Sequence, residues 1–162
     1  MEIISLSKVV SKTSLASFDC GEPALNQYLV NYASQNERRQ LTRSYVALEN
    51  GEVLGFYSLC STQISIGDFP TSLLKHYPSY PVPAVKIARL GVGKTYQGRG
   101  IGTALLSDAI KKASLAASYV GTAFVVVDAK EKAVGFYKKL GFTPLPSQPC
   151  TLVYSLKSIK AY

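Results

Sequence analysis

The segment Ala88–Gly102, ARLGVGKTYQGRGIG, contains two candidate phosphate-binding loops. The first has the Gly93-Lys94-Thr95 order that ends a P-loop. A P-loop also needs a glycine five residues before its Gly-Lys pair, and that position is Ala88, inside a predicted strand. Asp128 is the one acidic residue after an apolar strand that could hold Mg²⁺. The pattern is therefore incomplete, and a nucleotide-hydrolase site is not favoured.

The second loop is Gln97–Gly102, in which glycines stand at 98, 100 and 102. This even spacing does not fit the Gly-x-Gly-x-x-Gly pattern of dinucleotide-binding proteins. Glycines let the backbone turn several N–H groups toward one point, and the N-terminus of a following helix adds partial positive charge. The loop could alternatively be a glycine-rich turn that binds no ligand. Taken with its helix, the loop predicts a pyrophosphate site that needs no metal.

The elements around this loop follow from hydrophobic periodicity and turn signals. Asn50-Gly51 predicts a hairpin within 44–62, and Pro70–Pro83 predicts a proline-rich loop. Helices are predicted at about 23–34, with Leu25, Tyr28, Leu29 and Tyr32 at helical spacing, at 102–118, and within 131–140 before Gly141. Further strands are predicted at 84–92, 122–129 and 150–157. Strands separated by helices after an antiparallel hairpin indicate an α/β fold with a mixed sheet.

Composition indicates one folded domain, spanning residues 1–162, with 47% hydrophobic and 17% charged residues. No apolar run approaches about 18 residues, and the start lacks a signal-peptide pattern, so we expect a cytoplasmic protein without a membrane segment. Cys20, Cys60 and Cys150 lie far apart, and the chain has one His, so no metal site is predicted. The net charge of +8 favours polyanionic partners.

Two segments together resemble the GNAT acetyltransferase superfamily: RLGVGKTYQGRGIGTALL (89–106) and VVVDAKEKAVGFYKKLGF (125–142). The resemblance implies the GNAT fold, a central mixed sheet flanked by helices in a single domain, and acetyl-CoA as cofactor. It implies that the pantetheine arm pairs with the backbone of Leu90, Gly91 and Val92. The loop that would hold the pyrophosphate comprises Gln97, Gly98, Arg99, Gly100, Ile101, Gly102 and Thr103. Many members place an Asn near the pantetheine where this chain has Asp128 and Ala129, so that contact is absent here or replaced by these residues.

The same resemblance implies that Tyr137 is the general acid that protonates the departing thiolate. The alternative role of Tyr137 is to pack the short helix against the sheet. We expect that packing role for Phe136. Many members carry a glutamate base on the strand before the loop, but AVKIARLGV contains no carboxylate. A lysine, with a pKa of about 10.4, would need such a base, whereas an α-amine at about 7.7–8 would need little help. Glu52 or Asp128 could still supply a base from elsewhere. The missing carboxylate favours an acceptor amine with a low pKa.

A closer resemblance, carried also by FDCGEPALNQYLVNYA and YPVPAVKIARLGV, is to the GNAT toxins of bacterial type II toxin–antitoxin systems. It implies acetylation of aminoacyl-tRNA, inhibition of translation, a homodimer, and a small ribbon-helix-helix antitoxin through which alone DNA would be bound. The candidate contacts to tRNA phosphates are Arg38, Arg39, Arg43, Lys86, Arg89 and Lys94. A solvated basic face is their alternative role.

Two other functions remain open at this point. One is a GNAT enzyme that acetylates a small amine or a protein N-terminus. The other is a non-catalytic acetyl-CoA-binding partner in a repressor complex, against which the retained Tyr137 and glycine loop argue. Salt dependence separates the first from tRNA acetylation, because only a polyanionic substrate should bind less tightly as salt rises.

Overall fold

The structure is a computed structural model and describes residues 1–9, 12–69, 72, 77 and 81–158. Within these residues the strands form one sheet in the order β1-β2-β3-β4-β5-β7-β6. The strands are β1 Glu2–Ser5, β2 Arg43–Glu49, β3 Glu52–Ile64, β4 Val82–Val92, β5 Phe124–Asp128, β6 Thr143–Leu145 and β7 Gln148–Ser155. β4 and β5 are parallel, whereas β1–β2, β2–β3, β5–β7 and β6–β7 are antiparallel. The predicted mixed sheet is confirmed.

The helices are α1 Lys12–Ala16, α2 Pro23–Gln27, α3 Ala33–Arg38, α4 Ile101–Ala117 and α5 Val134–Lys139. The helices at 23–38, 101–117 and 134–139 lie close to the three predicted positions, whereas α1 was not predicted. Gly141, predicted to end the last helix, has φ +99°. None of the helices in the described ranges combines the length and the apolar character needed to cross a membrane.

The hairpin turn has the predicted geometry. Asn50 and Gly51 have φ values of 52° and 78°, as a two-residue primed turn requires. β4 begins at Val82, so the end of the predicted proline-rich loop is strand. The rest of that loop, apart from residues 72, 77 and 81, lies outside the described residues. The sequence did not predict β1 or β6, which are four and three residues long.

The helical segment after Pro23 departs from the prediction in one respect. It continues to Arg38, and a π-helical turn at Tyr28–Tyr32 joins α2 to α3. The backbone N–H of Ala33 donates to the carbonyl of Tyr28, five residues back, which shifts the helical register by one residue. Ala33 is consequently buried, whereas Tyr32, placed by its spacing on the apolar face, is 48% exposed.

The chain divides into two compact units. The first unit is Met1–Cys60 with Ala88–Ala109, and the second is Ser61–Ile87 with Ile110–Tyr162. The buried cluster of the first unit includes Phe18, Tyr28, Leu29, Ala33, Val46 and Phe56. The buried cluster of the second unit includes Phe69, Ala84, Phe124, Val126 and Val153. Each unit therefore has a core of its own, and each carries part of the predicted site.

Candidate functional site

The glycine loop of the first unit leads directly into α4 and has two glycines at positive φ. Gly98 and Gly100 have φ +79° and +80°, and a Cβ at either would meet no atom within 4 Å. Backbone conformation, and not lack of space, therefore explains glycine there. In α4 the N–H of Ala104 donates to the carbonyl of Gly100 at 3.1 Å. The N–H groups before Ala104 precede this bond and lie at the positive end of the helix dipole.

The side chain of Gln97 fixes the start of this loop. Its Nε2 donates to the carbonyl of Val92 at 3.0 Å and to that of Cys20 at 3.3 Å. Gln97 belongs to the predicted cofactor-binding set, and the structure shows its amide holding the loop to the end of β4. A contact of Gln97 with a cofactor would therefore come from its backbone or its Oε1.

A second group of hydrogen bonds, which we call the Asp19 brace, joins the turn before α2 to the residues before the glycine loop. Asp19 Oδ1 accepts hydrogen bonds from the N–H of Gly21 at 2.9 Å and from Asn26 Nδ2 at 3.0 Å. Its Oδ2 lies 3.1 Å from Lys94 Nζ, and the N–H of Lys94 donates to the Asp19 carbonyl. The bonds from Gly21 and Asn26, followed by that from Lys94, hold the pKa of Asp19 below its usual range. Sequence reasoning missed this brace because no local spacing links Asp19 to Lys94.

The predicted tRNA-contacting cations differ in how they are held. Arg38, Arg39 and Arg43 are exposed, at the end of α3 and the start of β2. The guanidinium of Arg89 is half-buried and lies 3.8 Å from the centroid of the Tyr28 ring, a cation–π contact. The first three are therefore the cations whose placement best suits contact with a large polyanion.

Glu52, one of two candidate bases, is engaged inside the first unit. The hydroxyl of Tyr96 donates a hydrogen bond to its carboxylate. This bond is the largest cause of the raised pKa of Tyr96, because the phenolate would lie beside a carboxylate. As a base, Glu52 would have to act while it accepts this bond.

The other candidate base, Asp128, lies in the second unit at the end of β5. Its Oδ2 is 2.9 Å from Lys86 Nζ, and its Oδ1 accepts a hydrogen bond from Thr151 Oγ1 at 2.7 Å. Burial raises the pKa of Asp128, but the bonds from Lys86 and Thr151 outweigh it and lower the pKa below its usual range. A carboxylate stabilised in this way is a weak base. Lys86, predicted to contact tRNA, is the partner that neutralises it.

The backbone after Asp128 is also engaged. The N–H of Ala129 donates to the carbonyl of Cys150 at 2.7 Å. This N–H extends the pairing of β5 with β7 beyond the strand end. A cofactor contact at Ala129 would therefore have to use its carbonyl group or its side chain.

Tyr137, the predicted general acid, is almost fully buried in the second unit, with 5% of its surface exposed. Its ring contacts Phe136 and Phe142, with centroids 5.0 and 5.5 Å away. Among the described residues none accepts a hydrogen bond from its hydroxyl. Burial raises the pKa of Tyr137 to about 12, so the phenol keeps its proton at neutral pH. Phe136 is half-buried, in keeping with its predicted packing role.

Comparison with known proteins identifies what this arrangement is similar to. The model of the acetyltransferase (GNAT) family matches residues 12–142. A tRNA-acetylating toxin of Mycobacterium tuberculosis is 34% identical over 95% of this chain and 93% of its own length. A probable TacT toxin of Sinorhizobium fredii is 30% identical over 90% of this chain and 87% of its own length.

The chain is also similar to solved structures of the toxin AtaT. The toxin AtaT in complex with acetyl-methionyl-tRNAfMet is 33% identical, with a TM-score of 0.90 over 98% of this chain and 96% of AtaT. The AtaTR complex bound with AcCoA is 32% identical, with a TM-score of 0.79 over 97% of this chain and 94% of the matched chain. A tyrosine-to-phenylalanine mutant of AtaT has a TM-score of 0.83 at 32% identity, over 97% of this chain and 90% of the mutant.

Proposed function

This chain belongs to the GNAT acetyltransferase family, and we propose that it acetylates the α-amine of an aminoacyl-tRNA and thereby inhibits translation. The observation that carries this proposal is the likeness, over nearly the whole chain, to AtaT bound to an acetylated aminoacyl-tRNA. The same coverage supports treating residues 1–162 as one acetyltransferase domain.

The state of the candidate bases supports an α-amine as the acceptor. Glu52 accepts a hydrogen bond from Tyr96, and Asp128 is paired with Lys86. An amine that loses its proton without help must have a pKa near the working pH. An α-amine meets this condition at about 7.7–8, and a lysine at about 10.4 does not. Esterification to tRNA lowers the α-amine pKa further.

Different residues of this chain bind acetyl-CoA and transfer the proton. Acetyl-CoA supplies an acetyl group activated as a thioester. We assign its pyrophosphate to the N–H groups of Gly98–Thr103, and its pantetheine arm to the backbone of Leu90–Val92. As the amine nitrogen bonds to the acetyl carbon and the C–S bond breaks, Tyr137 gives its proton to the sulfur. The amine gives its proton to solvent, and Tyr137 regains one from solvent.

The proposal extends to partners and compartment. AtaT has been solved with its antitoxin AtaR, and the AtaT–AtaR complex has been solved with DNA. We propose that this chain likewise pairs with a small ribbon-helix-helix antitoxin, reaches DNA only through it, and acts as a homodimer in the cytoplasm.

Transfer of label from acetyl-CoA tests the proposed acceptor. The purified protein is incubated with labelled acetyl-CoA and charged tRNA, deacylated tRNA, or an amino-acid methyl ester. We expect label on the charged tRNA alone, with a rate that falls steeply as salt increases. The methyl ester offers the same kind of amine without phosphates. Its efficient acetylation at a salt-independent rate would contradict a tRNA substrate and favour a small-amine enzyme.

A further inference from the structure

Tyr32 is an aromatic residue that the fold places at the surface. The π-helical turn gives the inward position to Ala33, which is fully buried, and leaves Tyr32 48% exposed. Among the described residues none forms a hydrogen bond or a ring contact with the side chain of Tyr32. Insertions of this kind recur at functional sites in helices. The turn therefore presents an unused aromatic ring to solvent.

The exposed arginines lie on the same helical segment and on the strand that follows it. Arg38 ends α3, and Arg39 is its C-cap residue. Arg39 follows Tyr32, the N-cap residue of α3, by seven positions, the spacing that places two residues on one face of a helix. At 1.5 Å per residue the two are about 10 Å apart along the axis. A ring and two cations thus follow one another along the surface of this segment.

A buried carboxylate fixes the third arginine beside this segment. Glu37 is 7% exposed, and its Oε1 accepts a hydrogen bond from the backbone N–H of Ser44 at 2.8 Å. Because Arg38 follows Glu37 and Arg43 precedes Ser44, this bond holds the two arginines on neighbouring parts of the surface. Arg43 also donates to Gln40 Oε1 at 3.1 Å, which limits the positions of its guanidinium.

We propose that Tyr32, together with Arg38, Arg39 and Arg43, binds the single-stranded acceptor end of the tRNA, with one nucleobase stacked on the Tyr32 ring. Basic side chains that follow the backbone, and an aromatic ring that takes a base, are the two components of single-strand recognition. The exposed ring supplies the second, and its neighbours supply the charge complementarity. This inference rests on the proposed function and adds to it a contact with a base.

Variants at Tyr32 test the stacking contact through tRNA binding, without any acetyl transfer. The dissociation constant for deacylated tRNA is measured over a series of salt concentrations. We expect Tyr32→Ala to weaken binding by about 5- to 150-fold, the usual effect of losing one base–aromatic stack. Tyr32→Phe keeps the ring and should bind as the wild type does. Tyr119→Ala, which removes an aromatic residue 82% exposed in the second unit, is the matched control and should have no effect.

The salt dependence separates stacking from charge. Tyr32→Ala should leave the slope of log K against log salt unchanged, because no phosphate contact is lost. Arg38→Gln should reduce that slope by about one. If Tyr32→Ala bound tRNA as tightly as the wild type, the proposal would be wrong. It would also be wrong if the variant lost affinity only because its oligomeric state had changed. If the wild type acetylates charged tRNA while Tyr32→Ala binds normally, only this inference fails. If the wild type binds no tRNA, the proposed function fails with it.

Discussion

Tyr137→Phe should lower kcat and leave stability unchanged, whereas Tyr57→Phe should lower stability and leave kcat unchanged. Each change removes one hydroxyl. The Tyr137 ring packs between Phe136 and Phe142, and its hydroxyl has no hydrogen-bond acceptor among the described residues. Phenylalanine keeps the packing, so Tyr137→Phe should leave the free energy of unfolding at neutral pH nearly unchanged. The rate constant kcat should fall by about 10² or more, the usual contribution of a general acid.

The Tyr57 hydroxyl, in contrast, donates to Asp108 Oδ2 at 2.5 Å, and its side chain is fully buried. A buried hydrogen bond to a charged group contributes about 1.5–3 kcal/mol. Tyr57→Phe should therefore lower the free energy of unfolding by about that amount. In a chain of this size Tm should fall by roughly 3–12 °C. Because no catalytic role is assigned to Tyr57, kcat should stay at the wild-type value at temperatures where the variant is folded.

The pH dependence gives a second readout for Tyr137. Its pKa is about 12 in the folded protein and about 10 when unfolded, because burial destabilises the ionised phenol by about 3 kcal/mol. Below pH 10 both states keep the proton and the wild type has its full stability. As pH rises from 10 toward 12 the unfolded state releases its proton first, and up to about that much stability is lost. Relative to the wild type, Tyr137→Phe should therefore become more stable above pH 10.

Chemical denaturation at several pH values, together with kcat at saturating substrates, measures both tyrosine variants. Isothermal titration with acetyl-CoA shows whether the cofactor site is intact. If Tyr137→Phe retained wild-type kcat, the general-acid assignment would be wrong. If it lost stability at neutral pH as Tyr57→Phe does, the hydroxyl would have a structural partner and the account of its environment would be wrong.

Three further substitutions test separate parts of the account. Removal of a general base usually lowers kcat/KM by roughly 10²-fold, and Asp128→Asn should lower it by much less. A loss of about 10²-fold or more in steady-state assays would show that Asp128 is the base. Gly55→Ala places a Cβ 2.7 Å from the Gly91 carbonyl oxygen and 2.9 Å from Leu105 Cδ1. It should destabilise the protein by about 1–3 kcal/mol in urea denaturation, and an unchanged midpoint would show that this contact relaxes freely. Gln97→Ala releases the start of the glycine loop and should raise KM for acetyl-CoA more than it lowers kcat; the reverse result would remove Gln97 from cofactor positioning.

The parts of the fold that the sequence predicted are those with local causes. The Asn50-Gly51 turn depends on two residues that tolerate positive φ, and the glycine loop depends on a spacing within six residues. The exposure of Tyr32 was not predictable from periodicity, because the π-helical turn shifts the register and Ala33 packs into the core in its place. β1 and β6 are too short for an alternating pattern to be distinguished from chance.

The candidate site shows the same division. The glycine loop and Tyr137 were predicted from motifs, and the structure adds their geometry. The Asp19 brace and the pairing of Lys86 with Asp128 join residues that are distant in the chain. No periodicity or spacing marks such pairs. They change the interpretation of three predicted site residues, since Lys86 and Lys94 have carboxylate partners and Asp128 is a weakened base.

The mass of the amino acid released from treated tRNA shows whether the protein acetylates the aminoacyl group. Charged tRNA is incubated with the protein and acetyl-CoA, the ester is cleaved with mild alkali, and the released amino acids are identified by mass spectrometry. We expect N-acetylated amino acids, in an amount that falls by about 10²-fold or more when Tyr137→Phe is used for the same short time. Unmodified amino acids together with acetyl groups retained on the RNA, or no acetylation of either, would contradict it.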